Sequence, residues 1–178
     1  MEPQLVQQGQ ILALGAGAET SDATIMSDSV QIGKRMAQVR AKIGDLAIRP
    51  RLFVAASMNY EKAAGTYRYA MGDAVTSFNN AAPGLERISV PAGLYAAFTV
   101  RPILGFLWGP AIGKAYAFIY GKWLPRSAYQ HDPRPTETYP DLTGPTGKVL
   151  EHFEYHDERA ARKRGAEIEI RVPVRLKA

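Results

Sequence analysis

The closing stretch EIEIRVPVRL, residues 167–176, alternates along its whole length: Ile168, Ile170, Val172, Val174 and Leu176 face one way, and Glu167, Glu169, Arg171 and Arg175 the other. A period of two residues marks a strand with one covered and one solvated face. Working back from it, residues 136–139 read as a short strand between prolines. Before that, Ile112, Tyr116, Ile119 and Trp123 recur at helical spacing, with Pro110 in the first turn and Gly121 and Pro125 at the end. Leu94, Ala96, Phe98 and Val100 alternate as a further strand, entered through Pro91-Ala92-Gly93, which predicts a bend or bulge.

The first half repeats this order. Residues 5–17 form an extended apolar strand ending in small residues. Ser27, Asp28 and Ser29 then supply helix-starting chemistry, and Ile32, Met36, Val39 and Ile43 form one apolar stripe behind them. Gly44, Asp45 and Pro50 close the connection. Leu52, Val54, Ala56, Met58 and Tyr60 alternate as a strand, Gly65 marks a turn, and Tyr67, Tyr69 and Met71 share a face of the next strand. Pro83 and Gly84 separate the halves. Each half thus reads strand, helix, strand, strand, a repeat of pattern more than of residues. Because strands outnumber helices and hairpins are available, the reading is an α+β fold: a duplicated strand-helix-strand-strand unit, an antiparallel sheet with two helices on one face, and a central groove for a ligand. The expected organisation is a single domain over residues 1–178, with pseudo-repeats at about 1–82 and 83–178.

Composition narrows the chemistry. With 178 residues, 46% hydrophobic and 22% charged, the chain is outside the disordered, collagen-like and coiled-coil classes. The absence of cysteine excludes disulfide scaffolds, thiolate metal sites and cysteine nucleophiles. The N-terminus lacks a signal-peptide pattern, and the longest apolar candidate, residues 103–120, is broken by Pro110 and Lys114; a cytoplasmic protein with no membrane partner is expected. The net charge of +5 draws attention to Arg159, Arg162, Lys163 and Arg164. Without interleaved aromatics or a helix-turn-helix, that run reads as a solvated tip, and no specific nucleic acid is expected as a partner.

Several ordered segments resemble GyrI-like proteins, also called AraC-type effector-binding domains. PAGLYAAF, residues 91–98, resembles their "PxGxYAxF" strand; IYGKWLP, residues 119–125, their "IYxxWLP" helix end; Glu137-Thr138-Tyr139 their "ExY" strand; and EIRVPV, residues 169–174, their closing "EIxIPV" strand. GTYRYAMG, residues 65–72, resembles a "GxYxYxxG" strand of the same group. The resemblance implies a duplicated unit with a concave pocket. It also implies small-molecule binding of the sort seen in multidrug-responsive transcription regulators and cassette-encoded proteins, in a stand-alone version without a DNA-binding domain. Other members inhibit gyrase or hydrolyse cyclopropane-bearing toxins, so a hydrolase using the same pocket, or a protein-binding module, are the alternatives. The apolar stretch at residues 103–108 and the connection at residues 152–164 depart from the family pattern.

On this reading Glu137 pairs with a hydrophobic cation, and as an enzyme residue it is the general base. Tyr139 shares its strand face, and Trp123, Tyr95, Tyr120, Tyr60, Tyr67 and Tyr69 offer ring faces for cation–π attraction. Trp123 fits core packing as well as a pocket wall. Phe106 and Trp108 fit a lid, a dimer contact or core. His152, Glu154 and His156 share one strand face and form a possible metal trio, but a further ligand is lacking, and no metal or cofactor is expected. Gly15 and Gly17 lack the third glycine of a dinucleotide site, and no Ser/His/Asp spacing stands out.

Overall fold

The computed structural model describes residues 1–104, 106–136 and 148–178. The duplicated order is present, with one strand more in the first half than the sequence suggests and six strands in the second where it suggests three. Residues 5–17 are two strands, β1 (Gln4–Gln8) and β2 (Ile11–Ser21), broken around Gly9. Then follow α1 (Ile25–Ile43), β3 (Phe53–Glu61) and β4 (Thr66–Val75). The second half begins with β5 (Glu86–Val90) and β6 (Gly93–Val100) and continues into α2 (Trp108–Phe118), which is prolonged by a π-turn, Ile119–Trp123, and a last turn, Leu124–Arg126. Short strands β7 (Tyr129–His131) and β8 (Arg134–Pro135) precede β9 (Val149–His156) and β10 (Ile168–Leu176).

The main path of the sheet is β1-β6-β10-β9-β3-β4-β2-β5, antiparallel at every pairing. This order reads the same from both ends once β2 is matched to β6, β3 to β9 and β4 to β10. The extra strands explain how the halves are joined: β1 adds to β6 of the other half, and β5 adds to β2. At the centre β3 lies beside β9.

Two expectations need correction. Residues 152–164 are not simply a connection, because their first part is the inner half of β9, a strand paired on both sides. The short strand expected at 136–139 falls on residues 137–147, outside the described residues, apart from Thr136, whose N–H donates to the Lys148 carbonyl. What lies before it, β8, pairs with β9 through Arg134 and Pro135 only. A proline cannot donate to a ladder, which suits it to such an edge and not to a central strand.

α1 starts four residues earlier than Ser29. Thr24 precedes it, and Asp28 is drawn back to the Thr20 hydroxyl, which donates to its carboxylate at 2.7 Å. A negative charge in the first turn suits the helix dipole equally well there. Gly93 takes φ 150° at the expected bend, and the space a side chain would fill holds the Arg134 guanidinium, which donates to the Ala92 carbonyl.

Both helices lie on one face. Ala55, Glu154, Ile170 and Phe98 are consecutive register partners across β3, β9, β10 and β6, so their side chains share a face. α1 packs Ile32 against Ala55 and Tyr69, and α2 packs Ala111, Ala115 and Ile119 against Phe98 and Ile170. Burial of each large side chain contributes about 1.5–3 kcal/mol. On the opposite face, Tyr95 of β6, Phe153 of β9 and Ile88 of β5 belong to one cluster although their strands are far apart in the sheet order. The sheet must curl to bring them together. No helix among the described residues is long and apolar enough to cross a membrane.

Candidate functional site

Between the two helices the sheet is floored by β3 and β9, whose upward-facing residues there are Ala55, Ser57, His152 and Glu154. Alternation in the run HFEYH, residues 152–156, sends Phe153 toward the curled interior and His152, Glu154 and His156 toward the helices. An irregularity in the pairing with β3 just before it puts Leu150 with Phe153. Tyrosines rise on both sides. Tyr67 and Tyr69 come from β4 under the start of α1, and Tyr116 and Tyr120 from α2 and its π-turn. Tyr116 lies 4.6 Å from the His152 ring centre to centre and stacks on Tyr120 at 6.4 Å.

Glu154 sits at the middle of this floor and is 6% exposed. The Tyr69 hydroxyl donates to its Oε1 at 3.3 Å, and His156 Nε2 meets Oε2 at 3.0 Å. No Lys or Arg pairs with it among the described residues. Asp73 is matched by Arg40 and Arg51, Glu86 by Arg68 and Lys148, and Glu169 by Arg159 and Arg171, while the less deeply buried Glu151 faces His131 at 3.8 Å. Burying a charge is costly unless it is paired. Among the described residues Glu154 is therefore the most buried carboxylate without a Lys or Arg partner.

The surrounding phenols stay protonated. Burial pushes Tyr67 up to about 12, assisted by Asp22, Tyr60, Glu154 and Asp28. Burial raises Tyr69 and Tyr116 well above the ordinary value, and Glu154 adds to both. Burial likewise raises Tyr120, with Glu151 contributing. Around one carboxylate the groove thus presents neutral rings, whose faces carry the negative part of the aromatic quadrupole.

His152 is held in the uncharged form. Burial lowers it to about 3, with nearby His131 acting in the same direction, and its Nδ1 lies 2.9 Å from the Tyr120 hydroxyl. A histidine lowered on folding lends stability that is complete above its unfolded value near 6.5 and is lost as pH falls toward about 3. Because His152 keeps some contact with solvent, the expected loss between pH 6.5 and 4.5 is about 1–2 kcal/mol, less than the full shift would give. Thermal melts over this range should show a shallower acid slope for His152→Gln than for the wild type. Parallel slopes would mean that the imidazole is solvated.

Of the residues singled out in the sequence, Tyr67, Tyr69 and Tyr120 line the groove. Tyr60 stands at its rim, 44% exposed, donating its hydroxyl to Asp22 at 2.7 Å and tilted over Tyr67 at 5.9 Å. Tyr95 is elsewhere: in β6 the residues Ala96 and Phe98 take the helix face, so Tyr95 points into the curled interior, edge-on to Phe153, with its hydroxyl bonded to the Pro91 carbonyl. Trp123 packs under the helix end, stacked on Tyr129 and edge-on to Phe98 at 5.1 Å. Glu137 and Tyr139 lie outside the described residues. The metal trio shares a face as expected, but His152 is engaged by Tyr120 and His156 by Glu154, and no metal-binding cluster is found among the described residues. The groove residues that sequence reasoning did not assign to it are Tyr116, counted as helix core, and Glu154, considered for metal only.

A family model described as Cass2, integron-associated effector binding protein, matches residues 5–174. No curated protein matches the chain. Among solved structures, the integron cassette protein VCH_CASS2 from the mobile metagenome of Vibrio cholerae is 13% identical, with 98% of this chain and 97% of that one covered and a TM-score of 0.60. SAV2435, solved bound to tetraphenylphosphonium, is 16% identical, with 98% and 94% covered and a TM-score of 0.61. The C-terminal domain of EcmrR is 13% identical, with 99% and 98% covered and a TM-score of 0.63. At such identities these structures show a shared fold.

Proposed function

The chain belongs to the integron-associated effector-binding protein family, and from that premise we propose that its groove binds a hydrophobic organic cation with aromatic or otherwise flat groups. The observation that carries this reading is Glu154, a buried carboxylate without a lysine or arginine partner among the described residues, set among the rings of Tyr67, Tyr69, Tyr116 and Tyr120. A cation placed there gains a charge-assisted contact in a low-dielectric setting, and each ring face adds about 0.5–2 kcal/mol of cation–π attraction. A strongly hydrated cation such as a metal ion would lose its water without gaining enough oxygen ligands. A diffuse charge screened by apolar substituents loses little on leaving water, which favours quaternary ammonium, phosphonium and dye-like cations. The relative that was solved with tetraphenylphosphonium supports the same ligand class.

The test is calorimetric titration of the intact chain with tetraphenylphosphonium and with neutral triphenylphosphine oxide, which presents similar phenyl rings without the charge. Binding of the cation at least tenfold tighter than the neutral compound is expected. Equal affinities would leave the groove as an apolar cleft and remove the role assigned to its acid.

A further inference from the structure

The positive charge of this chain is concentrated in the helical layer. α1 carries Lys34, Arg35, Arg40 and Lys42 against Asp28, and the segment from Trp108 to Arg126 carries Lys114, Lys122 and Arg126 with no acid. Seven basic residues against one acidic give this layer +6, where the whole chain has +5, so the remainder nets −1. The basic run at 159–164 contributes less than its sequence suggests, because Arg159 is held by Asp157, Glu167 and Glu169. Arg40 is matched by Asp73, but Lys34, Lys42, Lys114, Lys122 and Arg126 are exposed and make no ion pair among the described residues.

The same layer carries exposed apolar side chains: Leu104 at 79%, Phe106 at 67%, Met26 at 66%, Val30 at 55% and Leu107 at 37%. Leu104, Phe106 and Leu107 belong to a turn closed by paired hydrogen bonds between Ile103 and Leu107, immediately before α2. Met26 and Val30 are one helical turn apart on the outside of α1, with Lys34 the next residue in that stripe. The starts of the two helices meet, since a Cβ on Gly109, two residues after Leu107, would come within 2.9 Å of Met26 Cε. The starts of both helices therefore form one apolar patch, with Lys34 and Lys114 nearest to it and Lys42, Lys122 and Arg126 farther along the same helices.

We propose that this outer face of the helical layer docks on an anionic lipid bilayer, with the apolar tips entering the headgroup region and the lysines meeting acidic headgroups. Charge complementarity selects the occupant. A second copy of the chain, docked through the same face about a two-fold, would set one +6 layer against another. A nucleic acid would match the charge but leave Leu104, Val30 and Met26 without a function, whereas exposed apolar tips on a basic layer match an interfacial membrane surface. The geometry also has a consequence for the groove. Its walls are built from these helices, so docking brings the groove close to the medium in which lipophilic cations accumulate.

The test is co-sedimentation of the intact protein with large vesicles of phosphatidylcholine alone, or with about one third phosphatidylglycerol, at about 0.1 M salt. Partition to the anionic vesicles at least tenfold above the neutral ones is expected, with a severalfold fall at about 0.5 M salt. The combined variant Lys34→Glu, Lys114→Glu, Lys122→Glu should lose about tenfold or more. Leu104→Ser with Phe106→Ser should lose severalfold while leaving the melting temperature and tetraphenylphosphonium affinity unchanged. Absence of partition, equal partition to both vesicles, or indifference to the charge reversals would each overturn the proposal. So would a concentration-dependent dimer that the Leu104/Phe106 variant abolishes, or tighter retention by duplex DNA than by the vesicles.

Discussion

Glu154→Gln is expected to weaken tetraphenylphosphonium binding by about 1.5–3 kcal/mol, roughly ten- to a hundredfold in Kd. Glutamine preserves the length and one acceptor oxygen for the Tyr69 hydroxyl, and its amide N–H can donate to His156 Nε2 in the tautomer protonated on Nδ1, so the groove keeps its shape. What disappears is the negative charge. Since no lysine or arginine partner is stranded by the change among the described residues, the folded protein should tolerate it, and the melting temperature should hold or rise. Binding of triphenylphosphine oxide should change by less than threefold, because its contacts are with the rings. Glu137→Gln provides the comparison, as the sequence resemblance selects Glu137 and the geometry selects Glu154. A loss confined to the Glu137 variant would overturn the assignment of the acid while leaving the groove intact. Equal cation affinity in all three proteins would mean that neither carboxylate meets the ligand.

The gap between those two glutamates shows what the sequence made legible. Strand and helix periodicity is a local property, and the stripe Ile32-Met36-Ile43, like the alternation of β3, β6 and β10, could be read directly and is found buried. In α2 the stripe read as Ile112-Tyr116-Ile119-Trp123 is turned by one residue, Ala111, Ala115 and Ile119 being the buried ones. The exchange of β1 and β5 between halves could not, because strand partners are set by the whole sheet and leave no local trace. Glu154 was legible in part: its alternation with His152 and His156 placed all three on one strand face, and the structure agrees. What the alternation did not yield was a role for that face, since the trio fits only as metal ligands on the sequence and no metal is expected. A histidine beside a tyrosine hydroxyl is as satisfied as a ligated one, and only the packed neighbour, Tyr120, distinguishes the two. Tyr95 shows the complementary failure. Its neighbours Ala96 and Phe98 fix the covered side of β6, but both faces of this curled sheet are buried, so an apolar or aromatic residue carries no mark of which face is the groove. Charge does carry such a mark. In a core with two apolar faces, the acid lacking a lysine or arginine partner marks the face on which the proposed ligand site rests.

Gly15→Ala is expected to destabilise the chain by more than about 3 kcal/mol, lowering the melting temperature by roughly 6–12 °C for a protein of this size. Gly15 lies in β2 with β4 on one side and β5 on the other, directly opposite Gly72. A Cβ at Gly15 would occupy the place of the Met71 carbonyl oxygen, and one at Gly72 would come within 2.7 Å of the Leu14 carbonyl oxygen. In both cases the obstacle is backbone, which cannot turn aside as a side chain can, and β2 is fixed on both flanks by its ladders. Glycine inside a strand is ordinarily unfavourable, so two facing each other mark an approach that the curl of the sheet requires. The approach also bears on the ligand: Met71 and Tyr69 share the face of β4 turned toward α1, so forcing β2 from β4 shifts a wall of the groove. Gly113→Ala in α2 is the control, since nothing lies within 4 Å of the added carbon and helix propensity favours alanine by about 0.5–1 kcal/mol. Chemical denaturation of both variants separates the cases. A Gly15→Ala protein as stable as Gly113→Ala would mean that β2 and β4 do not meet in this register, and the position of Tyr69 above Glu154 would fall with it.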